Sequence, residues 1–148
     1  MRRILTLASA VALVGTAVLA AAPAGQAAGR YSIVSMCPGS MVSGFPKTLQ
    51  NTVDETQGTV ELRYSSANGG TNCAKVYDNA SGKHAMSVTM TVDGIPGSGQ
   101  DSGTFETYAG GVLVTGANGH CAHVSGTLVM GTHSIDHFSF SSGPVACG

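Results

Sequence analysis

Met86-Ser87-Val88-Thr89-Met90-Thr91-Val92 alternates apolar and hydroxyl side chains without a break. Side chains along a strand point to opposite faces in turn, so this stretch predicts a half-buried β-strand with the methionines and valines against a core. The same period of two recurs in Val60, Leu62 and Tyr64 against Glu61 and Arg63, and in Phe138 with Phe140. No segment carries an apolar stripe of helical period. Turn signals separate the strands: Ala67-Asn68-Gly69-Gly70, Asp78 to Gly82, Asp93 to Gly99, Gly110-Gly111 and Ala117-Asn118-Gly119. Short strands at this spacing predict an all-β fold. About eight strands, mostly joined as hairpins, would form a single antiparallel β-sandwich or small β-barrel, and the pattern leaves both architectures open.

Composition agrees with that class. Only 10% of the 148 residues are charged, Trp is absent and Gly is abundant at 21 residues. At the N-terminus, Arg2 and Arg3 precede an apolar run from Ile4 to Ala22, then small residues from Pro23 to Ala28. The run is long enough to span a bilayer, but its Thr, Ser and Gly interruptions and its small-residue exit fit a cleaved secretory signal over residues 1–28 better than a retained anchor. Cleavage after Ala27 or Ala28 would leave one secreted β domain, residues 29–148, with no membrane attachment of its own. That mature chain carries five basic and eight acidic residues, a net charge of −3. Nucleic acid is excluded as a partner, because Arg30, Lys47, Arg63, Lys75 and Lys83 are scattered and outnumbered.

Cys37, Cys73, Cys121 and Cys147 are even in number in an exported chain and predict two disulfides. Zinc ligation would call for a close cysteine pair, which is missing. Three connectivities are open. Ala67-Asn68-Gly69 before Cys73 echoes Ala117-Asn118-Gly119 before Cys121, and both read as a hairpin tip with a returning strand. The echo is either a duplicated hairpin or turn chemistry used twice. Equivalent positions favour pairing each of these cysteines with its nearer terminal neighbour, Cys37 with Cys73 and Cys121 with Cys147.

Three further groupings are candidate sites. His120, His123, His133 and His137 gather in the last third beside Asp136. On one strand His133 and His137 would stand about 13 Å apart, too far to share an ion, and the histidines read as solvent-facing. Asp101-Ser102-Gly103 is similar to a serine-protease nucleophile segment but reads as a turn, in a chain too short for that fold. Tyr31, Tyr64, Tyr77 and Tyr108 offer aromatic surfaces for a glycan, though tyrosines at strand ends ordinarily pack a core rim. No catalytic, metal or cofactor-binding residue is predicted.

Leu62-Arg63-Tyr64-Ser65-Ser66-Ala67-Asn68-Gly69, Asn72-Cys73 and Asp101-Ser102-Gly103-Thr104-Phe105-Glu106-Thr107-Tyr108-Ala109-Gly110 resemble the spore-associated protein A family, small secreted proteins of filamentous sporulating bacteria. The resemblance covers almost the whole mature chain. It departs after the third cysteine, where relatives carry an aromatic residue and this chain reads Ala122-His123-Val124. It implies export and attachment to spores or the outer cell surface, with no catalytic residue to carry over. The expectation is therefore a non-enzymatic secreted protein that coats a surface or binds a cell-wall or spore-surface component. The alternative is a secreted protease inhibitor, with Pro38 to Pro46 or Asp93 to Gly99 as the bait segment. A small hydrolase using His133, Asp136 or His137 comes third.

Overall fold

The computed structural model describes residues 30–148, so the secretory segment expected over 1–28 lies outside the described residues. The strands are β1 (Tyr31–Ile33), β2 (Ser40–Met41), β3 (Lys47–Gln50), β4 (Thr56–Ser65), β5 (Thr71–Tyr77), β6 (His84–Val92), β7 (Ile95–Phe105), β8 (Tyr108–Thr115), β9 (Ala122–Val129) and β10 (His137–Ser141). Helix is confined to two short 3-10 turns, Ala67–Gly69 and Ser134–Asp136. Nine strands follow one antiparallel path, β1-β8-β5-β4-β3-β10-β9-β6-β7, and β2 adds to β4. The path rolls into a nearly closed barrel, which resolves the choice between sandwich and barrel.

The alternation in β6 sets the radial direction. Met86, Val88, Met90 and Val92 are buried, with Val60 and Leu62 of β4, Val76 of β5, Val112 and Val114 of β8 and Leu128 of β9, in one continuous core. The lumen is filled by these side chains. Opposite walls meet at Gly126 of β9, where a Cβ would overlap Val76 and stand 3.0 Å from Val60.

The seam lies between β7 at one end of the path and β1 with β8 at the other. Side chains close it where no ladder does. The Gly110 amide donates to Asp101 Oδ2 at 2.7 Å, the Val92 amide donates to the Tyr31 hydroxyl at 3.0 Å, and Gly99 leaves room for the Tyr31 ring and Val112. Gly110 is buried, so losing its charged acceptor strands a backbone donor. Asp101→Ala is expected to lower stability by about 2 kcal/mol with an unchanged urea m-value, measured by equilibrium unfolding.

Several expected turns are strand instead. Asp101-Ser102-Gly103 sits within β7 and Gly110-Gly111 within β8, where the register against β5 shifts beside Ala74 and Lys75. Between β6 and β7 the turn is only Asp93-Gly94, since Val92 already pairs with Ile95. Glycine-rich strands carry no alternating side-chain signal, and their glycines look like punctuation. The duplicated hairpin is also overturned. β4 and β5 pair across Ala67–Gly69, but β8 pairs with β5 and β1 while β9 pairs with β6 and β10, so Ala117-Asn118-Gly119 is a crossover. The two echoing loops instead bond to each other, with Gly116, Ala117 and Asn118 amides donating to the carbonyls of Asn68, Gly70 and Gly69.

Candidate functional site

Cys37–Cys73 and Cys121–Cys147 are the two disulfides. The first fastens a strap, residues 34–39, across the outside of β4, β5 and β8. Val34 donates its amide to the Gly111 carbonyl at 2.9 Å, and Arg63 Nη1 reaches the Gly39 carbonyl at 3.3 Å. Gly39 (φ +84°) lies so close to the Tyr64 carbonyl that any Cβ would overlap it. Beneath the strap Cys73 and Lys75 point away from the core yet are 0% and 6% exposed. The Lys75 ammonium donates to the Ser35 carbonyl at 2.6 Å and sits 3.7 Å from the centroid of the Tyr108 ring. Tyr108 in turn stacks obliquely on Tyr77 at 5.8 Å. Burial pushes the Tyr77 phenol above its ordinary range, and the Glu61 carboxylate adds to the rise. The aromatic pair weighed as a glycan platform is therefore engaged by a lysine. Tyr31 closes the seam, and the Tyr64 hydroxyl bonds Asn118 Oδ1 at 3.2 Å.

The other half of the barrel is bare. The residues that alternate outward from the core on β7, β6, β9 and β10 line up in register across the strands. One rung reads Gln100, Thr89, Ser125, Ser141; the next reads Ser102, Ser87, Thr127, Ser139 and continues to Gln50 of β3. Thr91 with His123 and Thr104 with Ala85, Val129 and His137 complete the wall. None of these outward positions is Asp, Glu, Lys or Arg. Ser87 Oγ and Thr127 Oγ1 share a hydrogen bond at 2.7 Å. Threonine suits any strand, so its presence needs no function. The absence of charge over adjoining exposed strands is not explained that way, because solvated faces ordinarily carry lysine and glutamate that keep them apart.

Near one end of this wall a shallow depression of about 160 Å³ is lined by Thr89, Thr91, His123, Val124, Ser125, Ser141 and Ser142. His123 Nε2 lies 3.0 Å from Asp93 Oδ1 at its edge. A larger groove, about 290 Å³, runs between Ser40–Val42 with Tyr64 and the C-terminal residues Ala146–Gly148, and its lining is mostly apolar.

The histidines do not converge. His123 belongs to the wall, while His133 heads the 3-10 turn, not a strand as expected, and its amide donates to Asp136 Oδ2 at 3.1 Å. His137 is exposed on β10, and His120 lies beside Gly94. Among the described residues no three His, Cys, Asp or Glu side chains are grouped to hold an ion. The fifth histidine, which sequence reasoning passed over, makes the closest acid contact. His84 Nδ1 is 2.5 Å from Asp78 Oδ2, whose side chain is fully buried. Asp78 Oδ1 accepts the Ala80 amide at 2.8 Å, and the Asp78 amide donates to the Thr107 carbonyl at 2.9 Å. Asp78 thereby clasps the β5–β6 loop to the β7–β8 turn. Among the described residues no hydroxyl or thiol hydrogen-bonds to that imidazole. The signal for it was the Asp78-to-His84 spacing across a Gly/Ser loop.

Parts of both segments expected as bait are held by the sheet, while Ser43-Gly44 and Pro96–Ser98 are exposed. Ser40–Met41 pairs with β4, Val42 donates to the Leu62 carbonyl, and the Phe45 ring meets Phe140 edge-on at 6.1 Å. Beyond the tight Asp93-Gly94 tip, Ile95 is buried.

No family profile, curated protein or solved structure matches this chain.

Proposed function

We propose that this is a non-enzymatic extracellular protein that attaches to the spore or outer cell surface, coating it or binding an uncharged wall polymer, through the bare hydroxyl wall of β7-β6-β9-β10. The observation that carries the reading is the wall itself: registered rungs of Ser, Thr and Gln without a formal charge, on a barrel whose lumen is full. Each hydroxyl both donates and accepts, as does each hydroxyl of a polysaccharide. Single exposed hydrogen bonds are weak, and a row of them facing a repeating polymer gains strength by multivalency. Two disulfides suit an oxidising location outside the cell. The Arg2-to-Ala28 segment supports export, and the resemblance of the Asn72-Cys73 and Tyr108-Ala109-Gly110 steps directs the reading to spores. The sheet pairing of Ser40–Met41, Ile95 and Gly99 shortens what either bait segment can present, which weighs against the inhibitor reading, since a bait loop must stand clear of its scaffold to enter a protease cleft.

Fractionating a producing culture into medium, vegetative wall and washed spores tests the proposal. The mature protein is expected on the solids and resistant to salt, because hydroxyl contacts are not screened by ions. Protein free in the medium, or released by salt alone, would sink it.

A further inference from the structure

We infer that the depression at Thr89, Thr91, His123, Ser125 and Ser141 seats one sugar ring of a neutral polysaccharide; the inference rests on the proposed attachment through this wall and names its ligand class and contact point. About 160 Å³ corresponds to roughly five water molecules at their liquid volume, room for a single ring.

The lining supplies the recognition chemistry. Thr89, Ser125 and Ser141 are consecutive members of one rung, and Thr91 with His123 begins the next. Five polar side chains from three strands therefore converge on one spot. Behind them the backbone is fixed, since the Val124 amide donates to Ser142 Oγ at 2.8 Å and the Ser142 amide donates to the Val124 carbonyl at 2.8 Å. These bonds hold β9 against the end of β10, and preorganisation of this kind lowers the entropic cost of binding. The contact of His123 Nε2 with Asp93 Oδ1 at 3.0 Å fixes the imidazole in place at the depression.

Charge selects against the other polymers of a cell surface. No Lys or Arg lines the depression, and the carboxylate of Asp93 stands at its rim. A uronic acid or a phosphate-linked polymer would meet that carboxylate with no cation to compensate, whereas a neutral ring meets only donors and acceptors. The larger groove beside Tyr64 offers mostly apolar contacts and cannot make this selection.

The test measures retention on washed wall and spore solids, with the neutral polysaccharide released from those solids as a soluble competitor. Thr89→Val combined with Ser125→Ala removes two hydroxyls while keeping strand-compatible shapes, and is expected to weaken retention about tenfold, with Ser66→Ala in a distant loop as the control. Competition by the neutral fraction, and not by the anionic fraction, completes the expected result. Full retention of the double variant, together with loss in a variant elsewhere on the wall such as Thr127→Lys, would overturn the depression as the seat while leaving attachment through the wall intact. Competition by the anionic fraction alone would overturn the ligand class. Absence of wild-type retention on any solid would remove the attachment reading and this inference with it. Circular-dichroism melting of each variant separates lost contacts from lost folding.

Discussion

Cys37→Ala combined with Cys73→Ala is expected to lower the unfolding free energy by about 4 kcal/mol and to leave surface attachment unchanged. The bridged residues are 36 apart in sequence, and closing a loop of that length removes entropy from the unfolded chain worth close to that figure. Against the roughly 5 to 15 kcal/mol that holds a small domain folded, this is a large share. Native contacts add to it. The strap is held by few hydrogen bonds besides the disulfide, and it covers Lys75, whose ammonium has the Ser35 carbonyl as its hydrogen-bond acceptor. If the strap lifts, water reaches β5 and β8 and the Lys75–Tyr108 contact is exposed to solvent. Equilibrium urea unfolding checks the free energy, and hydrogen exchange at the amide of Val34 checks the lifting. A loss under about 1 kcal/mol would mean that the strap's other contacts hold it without the bridge. Attachment survives because the hydroxyl wall occupies the opposite half of the barrel. A double variant that stayed folded but no longer bound solids would place the binding surface on the strapped half.

The strands were legible in the sequence wherever inward and outward residues differ in hydropathy. β6 is the clearest case, and its alternation set the fold class. β7 was not legible, because Gly97, Gly99 and Gly103 break the pattern that Ile95 and Phe105 bracket. Gly99 serves the seam, where Tyr31 and Val112 need the space a side chain there would occupy. Barrel closure includes the contact of Asp101 with the Gly110 amide, between residues that no local pattern links. The cysteine pairing followed from the terminal-neighbour argument even though its premise of two equal hairpins fails: Cys73 lies within β5 of a true hairpin, and Cys121 follows a crossover. The hydroxyls of the candidate wall were visible one strand at a time, as the polar half of each alternation. Their assembly into rungs needed the order β7-β6-β9-β10, in which β9 joins β6 across a long gap in sequence.

Thr127→Lys and Thr127→Glu, made separately, are each expected to weaken retention on wall or spore solids by about tenfold, while shifting stability by no more than about 0.5 kcal/mol. Thr127 is exposed near the middle of the wall, between Ser87 and Ser139, and its hydroxyl bonds that of Ser87. Either substitution removes that bond and places a hydrated charge where a neutral polymer must lie. Desolvating the charge without a counter-ion opposes contact whichever its sign. The pair of variants separates partner chemistries because an anionic polymer would respond asymmetrically. Lysine would then raise retention and glutamate would lower it, and the difference would shrink as salt was added. Equal loss in both variants, insensitive to salt, is the signature of a neutral partner. Opposite effects would reassign the wall to an anionic polymer, and no effect in either would exclude the Thr127 rung from the contact. Because the side chain at 127 points outward, between Gly126 at the core contact and buried Leu128, neither variant disturbs the packing that keeps the rungs in register.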